Sequence, residues 1–235
     1  MQPAAVKKQA QKLADRLTIY IVAATLIGAR LGHFLFYEQP SEYLSDPLEI
    51  FRIRNGGLAS HGAVIAIVLA VILFCHRYKK EFPKVTWVRL LDLLSPSAAI
   101  VACLIRIGNF FNQEILGTVS TVPWAVVFGH PADGSWPTPR HPVQLYEAFG
   151  YLAIFALLWR LSKKTSILMD PGKLVGILLI LVFSFRFLIE FFKTEQSHLL
   201  GVFYLTMGQM LSIPFVFLGV AFFSLRRFEK WAARK

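Results

Sequence analysis

Long apolar runs separated by short polar segments set the organisation of this chain. The runs are continuous rather than alternating, so they read as helices in lipid and not as strands of a barrel. The pattern predicts six spans, over about 17–37, 58–75, 88–105, 144–161, 174–192 and 203–225. The intervening segments carry the helix breakers: Pro40, Pro47, Asn55, Gly56 and Gly57 within 38–56, and Pro123, Pro131, Pro137, Pro139 and Pro142 within 118–143. The expected fold class is therefore an all-α polytopic membrane protein with about six transmembrane helices. One integral membrane domain is expected over 1–235, with a small outer-face (periplasmic) insert over about 106–143 and a short strand over 121–128.

Composition agrees. The chain is 55% hydrophobic and 17% charged, with a mean hydropathy of +0.53, too apolar for an ordinary soluble domain. A net charge of +11 would suggest nucleic acid in a soluble protein. Here its distribution says otherwise. Eighteen of the 25 Lys and Arg residues fall in four segments, 1–16, 76–89, 160–173 and 226–235. A six-span chain puts all four on one side, which is then cytoplasmic, with both termini there and no nucleic acid as partner. Residues 1–16 read as a short basic segment rather than a signal peptide, because no small-residue cleavage site follows. Cys75 and Cys103 lie in apolar stretches and read as packing residues, and no metal-ligand spacing occurs.

The remaining cations are Arg30, Arg52, Arg54, Arg106, Arg140, Arg186 and Lys193. They break the positive-inside trend, on or near the outer half. Arg30, Arg106 and Arg186 sit in or at the ends of apolar spans, where charge is costly and usually functional. Guanidinium forks onto phosphate, so three of them toward the outer face suggest an anion held at the membrane interface. The plainer alternative is pairing with carboxylates: Glu190 stands four residues after Arg186, and Glu114 is near Arg106. The stretch 106–117 concentrates Arg106, Asn109, Asn112 and Glu114 between apolar residues, with Gly108 and Gly117 bracketing the cluster. His61, among Gly56, Gly57 and Gly62, is a candidate proton acceptor, or else a hydrogen-bonded helix-end histidine. His141, in Pro139-Arg140-His141-Pro142, reads as a rigid turn into the fourth span. Asp92 is placed toward the cytoplasmic side, where it satisfies a neighbouring helix rather than joining the outer site.

These residues carry a resemblance. Arg106-x-Gly108-Asn109-Phe110-x-Asn112-x-Glu114-x-x-Gly117 resembles the signature of bacterial prolipoprotein diacylglyceryl transferases. Gly28-Ala29-Arg30 with Leu35-Phe36-Tyr37, Gly56-Gly57 through His61-Gly62, and Pro139-Arg140-His141-Pro142 with Gln144-Leu145-Tyr146-Glu147 are similar to further motifs of that family. So are Phe185-Arg186 through Glu190-Phe191-Phe192, and Met207-Gly208-Gln209 with Ser212-Ile213-Pro214. The matches run in order over nearly the whole chain.

The resemblance implies transfer of a diacylglyceryl group from phosphatidylglycerol to the lipobox cysteine of a preprolipoprotein, in the bacterial plasma (inner) membrane. Glycerol phosphate leaves, and no metal or organic cofactor is implied. His61, Arg106 and Arg186 become the catalytic candidates. Arg30, Asn109, Asn112, Glu114, Gly117, Arg140, His141 and Glu190 become the substrate-binding candidates. The implied partners are phosphatidylglycerol, the lipobox segment and the membrane. Three departures stand out. The family's pattern has seven spans, and this chain is expected to lack the first, with its tyrosine near the site. Ile105 and Ala63 stand where many relatives have glycine. A phospholipid-binding homologue with weak or no turnover is the alternative. An anion transporter fits less well, since no inverted repeat is visible and the charges gather on one side.

Overall fold

The computed structural model describes residues 3–37, 59–164, 167, 169–194 and 205–232. Arg52, Arg54, Gly56, Gly57 and His198 lie outside them. The chain divides into two compact units, Met1–Leu90 and Leu91–Lys235.

The first unit holds α1 (Pro3–Tyr37) and α2 (Ser60–Arg77). The residues expected as a basic segment ahead of the first span are helical, and α1 begins at Pro3. The cause is local: Ala, Lys, Gln and Leu dominate this stretch, all strong helix formers, and a proline fits the first turn. The two helices run antiparallel. Gly32 meets Ala59 and Gly62, Gly28 meets Gly62 and Ala66, and Tyr20 meets Phe74 edge-on at 5.4 Å. A methyl at Gly62 would come within 2.7 Å of Gly32 Cα, so the backbones touch only because both positions lack side chains. At the other end Lys12 and Arg16 pair with Glu81, whose carboxyl is held below its usual range by the Lys12 hydrogen bond first and by Arg16.

The second unit holds the rest of α3 (Trp87–Phe111), then β1 (Val126–Val127), β2 (Pro139–Arg140), α4 (Val143–Ser162), α5 (Lys173–Ile189) and α6 (Met207–Ala232). A short 3-10 turn, Glu190–Phe192, follows α5. Its core joins Ala99 and Cys103 of α3, Tyr151, Ile154 and Leu158 of α4, and Leu174 of α5. Both cysteines are free and Cys103 is buried, as packing residues should be. Asp92 does what its position suggested. Its Oδ2 accepts from the Gly172 amide at 2.6 Å and its Oδ1 from the Val175 amide at 2.9 Å, so a carboxylate of α3 caps the N-terminus of α5.

Other expected boundaries move as well. Helix α3 continues past residue 105 to Phe111, which carries Arg106 and Asn109 onto its last turns. The strand expected over 121–128 shrinks to Val126–Val127, paired antiparallel as Val126↔Arg140 and Val127↔Pro139. Val122 is drawn instead into a turn, its carbonyl accepting from the Ala125 amide.

Among the described residues five helices are long and apolar enough to cross a membrane, and a sixth, α2, is apolar but shorter. They leave large apolar side chains exposed, among them Leu69, Phe149 and Phe217 at 60–70%. Exposure on that scale fits faces covered by lipid.

Candidate functional site

The last turns of α3 make a polar rail. The Arg106 guanidinium donates to Asn109 Oδ1 at 3.1 Å, and the Asn109 amide donates to Glu114 Oε2 at 2.7 Å. Asn112 reaches the other carboxylate oxygen, at 3.2 Å. The chain then bends through two residues with positive φ, Gln113 (55°) and Ile115 (56°), on either side of Glu114. Neither is glycine, and the left-handed conformation costs about 1–2 kcal/mol per such residue. Neighbouring bonds hold it. Gln113 accepts from the His130 and Ala132 amides, and the Gln144 side chain donates to the Glu114 carbonyl at 2.7 Å. Strain of this kind concentrates where a side chain must be held in one place. Here that side chain is Glu114.

Beyond it, residues 116–118 lie antiparallel to 192–194. Thr118 N donates to Phe192 O, Thr194 N donates to Leu116 O, and Gly117 bridges Lys193. Gly117 is buried, and a Cβ there would fall on the His141 carbonyl oxygen and within 2.9 Å of the Val143 side chain. Its missing side chain is what lets the strap close. Arg140 locks the same layer. It donates to Gly117 O, Thr194 Oγ1 and Ser135 Oγ at 3.1–3.2 Å, while its buried Nε has no hydrogen-bond partner among the described residues. His141 Nδ1 lies 3.1 Å from the Tyr146 hydroxyl, which also accepts from Trp124 Nε1 at 2.7 Å.

The strap brings Lys193 onto two carboxylates. Its ammonium lies 3.0 Å from Glu147 Oε1 and 3.3 Å from Glu190 Oε2, with only 7% of its side chain exposed. Glu147 is fully buried. Its Oε1 also accepts from the Tyr151 hydroxyl at 3.2 Å. Arg106 Nε stands 3.0 Å from Oε2, a charge contact without hydrogen-bond alignment. Arg106, Glu147, Lys193 and Glu190 thus alternate in sign along one chain of contacts. Arg186 is different. The helical pair with Glu190 that its spacing allowed is not made. Among the described residues no ion pair or hydrogen bond reaches Arg186, and its Nε is buried without a partner.

In the first unit, Arg30 is 5% exposed with its guanidinium 4.7 Å over the Phe34 ring, and His61 is exposed at the start of α2. The second unit brings together Arg106, Asn109, Asn112 and Glu114, and links Gly117, Arg140 and Glu190 through the strap. In the sequence Glu147 stands inside a motif with no role of its own, and Lys193 is one more cation of the outer half. A carboxylate one turn into an apolar helix, and a lysine three residues after Glu190, were the available signals.

This arrangement of motifs has a match. The prolipoprotein diacylglyceryl transferase family covers residues 1–225 of the chain. The chain belongs to that family. Proteins named phosphatidylglycerol–prolipoprotein diacylglyceryl transferase are similar to it. One, from Protochlamydia amoebophila, is 51% identical over 88% of this chain. Others, from Tolumonas auensis and Chlamydia trachomatis, are 44% and 43% identical over 92% and 91%. The chain spans 55% of the Protochlamydia protein and 80% and 78% of the other two. Family membership and the apolar helices together make it a multi-pass membrane protein.

Proposed function

We propose that this member of the family transfers the diacylglyceryl group of phosphatidylglycerol to the lipobox cysteine of a preprolipoprotein. A sulfur–carbon bond forms at the glyceryl carbon that bears the phosphate. The carbon–oxygen bond to phosphate breaks, and the electron pair leaves on the phosphate oxygen of glycerol phosphate. The step is driven by holding that developing charge, which preorganised cations do best in a site closed to water. The observation that carries the reading is Arg186, a cation with a buried Nε and no described protein partner beside a network whose other charges are balanced. It is suited to receive the phosphate.

Arg106 is the second catalytic cation, oriented by Asn109 and Glu147, with Glu114 fixing Asn109. Asn112, Gly117, Arg140, His141 and Glu190 shape the polar layer around it, and Arg30 is a further substrate-binding candidate. The thiolate is the attacking form, and His61 is the proposed acceptor of its proton. We place both termini on the cytoplasmic side, the site toward the outer face, and the whole chain in one membrane domain. The distribution of Lys and Arg supports that orientation.

The test is transfer in proteoliposomes containing phosphatidylglycerol and a lipobox peptide. Mass spectrometry should show the peptide gaining a diacylglyceryl thioether and the release of glycerol phosphate. A folded chain that leaves the cysteine unmodified would sink the proposal.

A further inference from the structure

The first unit draws together two basic segments that lie far apart in the chain. Lys12 and Arg16 of α1 both pair with Glu81, in the turn after α2, with Lys12 Nζ 2.7 Å from the carboxylate. The Gln9 side chain donates to the Glu81 carbonyl at 3.4 Å. Lys8 stands four residues before Lys12, so Lys8, Lys12 and Arg16 share one stripe of the helix. That stripe meets a segment which itself carries Arg77, Lys79, Lys80 and Lys84. Besides Glu81, the one acid among the described residues of this unit is Asp15. Lys7, Lys8, Lys79, Lys80 and Lys84 are all exposed, and among the described residues no acid pairs with any of them.

Cations gathered in this way repel one another, and bound counter-charge relieves the repulsion. The place of the patch says where that charge comes from. Ile19 and Val22 of α1, with Ile72 and Leu73 of α2, are exposed large apolar side chains on faces that hydrocarbon covers. Arg16 lies about one turn before Ile19, and Arg77 about one turn after Leu73, a rise of about 5 Å in each case. The polar layer beyond the hydrocarbon is about 5–8 Å deep on each side of a bilayer. The inner edge of the patch therefore falls at headgroup depth. Aromatic rings mark the same level. Tyr78 lies 4.8 Å beneath the Arg16 guanidinium and 6.1 Å from the Tyr20 ring, and Trp87, which opens α3, is 38% exposed.

We propose that this patch binds the anionic headgroups of phospholipids in the leaflet it enters, with Lys79, Lys80 and Lys84 as the contacts. An ammonium on a flexible stem meets such headgroups as a point charge. Lys7 and Lys8 stand about 17 Å along α1 from Ile19, past the headgroups by roughly one Debye length, so they add attraction without contact. The positive-inside rule accounts for the side on which these cations lie. It does not require Glu81 to join the two segments into one surface. A lipid is the occupant because the patch begins where the hydrocarbon-facing side chains end. The inference is independent of the transfer chemistry.

The experiment reads the lipid beside Trp87. The full chain, with the other four tryptophans replaced by Phe, is placed in phosphatidylcholine vesicles. Lipids with brominated acyl chains quench tryptophan on contact. Quenching by brominated phosphatidylserine relative to brominated phosphatidylcholine then gives the headgroup preference at this surface. Phosphatidylserine is anionic and is not the proposed donor, so the donor site does not enter the reading. The expected preference is about fivefold at low salt, the worth of one lysine held near an anionic surface. It should fall toward one at about 1 M salt. Replacing Lys79, Lys80 and Lys84 together by Gln should abolish it, and replacing the same three by Arg should keep it. All three are exposed, so neither variant disturbs the core. Equal quenching by the two lipids at low salt would overturn the proposal. So would a preference that survives the triple Gln variant, or one that the triple Arg variant loses. Glycerol phosphate added to the buffer carries a phosphate without tails and should leave the preference unchanged. If it removes the preference, the patch takes a soluble anion and lipid is not its occupant.

Discussion

The Arg106 guanidinium on α3 stands 3.0 Å from the Glu147 carboxylate on α4, and that carboxylate is completely buried. A buried glutamate is tolerable only because Arg106, Lys193 and the Tyr151 hydroxyl surround it. Removing it strands two cations rather than one bond. Glu147→Leu is therefore expected to cost about 3–5 kcal/mol of folding stability. Thermal unfolding in detergent reads this, and a melting temperature within a degree of wild type would show that the network does not hold α3 to α4.

Arg186 should behave in the opposite way. It has no described protein partner to lose, so Arg186→Ala is expected to leave unfolding nearly unchanged. Transfer should fall by about 10²–10³, the usual cost of one donor to a developing anion. Arg186→Lys keeps the charge but not the fork and should recover little. Equal losses of stability and activity in Arg186→Ala would make the residue structural.

These two residues also mark what was legible in the chain. The helices were, because long apolar runs allow little else in lipid. Asp92 was as well, since a lone carboxylate in an apolar helix must find amides or cations. Charge pairing was not. Helical spacing offered Glu190 to Arg186, yet the strap built by Gly117 and residues 192–194 carries Lys193 to Glu190 instead. That choice is made by an antiparallel contact between segments more than seventy residues apart, and no local pattern contains it. The same strap places Arg140 against Thr194 and Gly117, so a residue expected to face substrate directs its described hydrogen bonds to the protein.

The insert has an acid-sensitive corner. Asp133 accepts from the Ser135 amide at 3.0 Å, and Ser135 Oγ accepts from Arg140. The Ser135 hydroxyl first, then its amide, and then the Arg140 charge hold the Asp133 carboxyl below its ordinary value. A carboxyl depressed by folding contributes stability that is complete above its unfolded pKa, about 4, and is lost as pH falls through the lower folded value. Trp136, 87% exposed nearby, offers a fluorescence probe of this corner. Its signal should change below about pH 4 in wild type. Asp133→Asn should lack that transition, and a transition of equal size in the variant would place the acid response elsewhere.

Lys193 gives the sharpest separation of structure from function. It contacts both Glu147 and Glu190, while Arg186 has no carboxylate partner among the described residues. In Lys193→Met the Glu190 carboxylate loses its cation while Arg186 stands one helical turn away, at a spacing that permits a pair. The variant is expected to draw Arg186 onto Glu190 and so weaken phosphate binding. KM for phosphatidylglycerol should rise at least as much as kcat falls. Lys193→Arg keeps the charge between the two glutamates and should restore KM. The double variant Lys193→Met with Glu190→Gln removes the competing carboxylate, and it should also recover most of the lost affinity. If it stays as weak as Lys193→Met alone, competition for Arg186 is not the cause, and Lys193 then acts only by holding the strap.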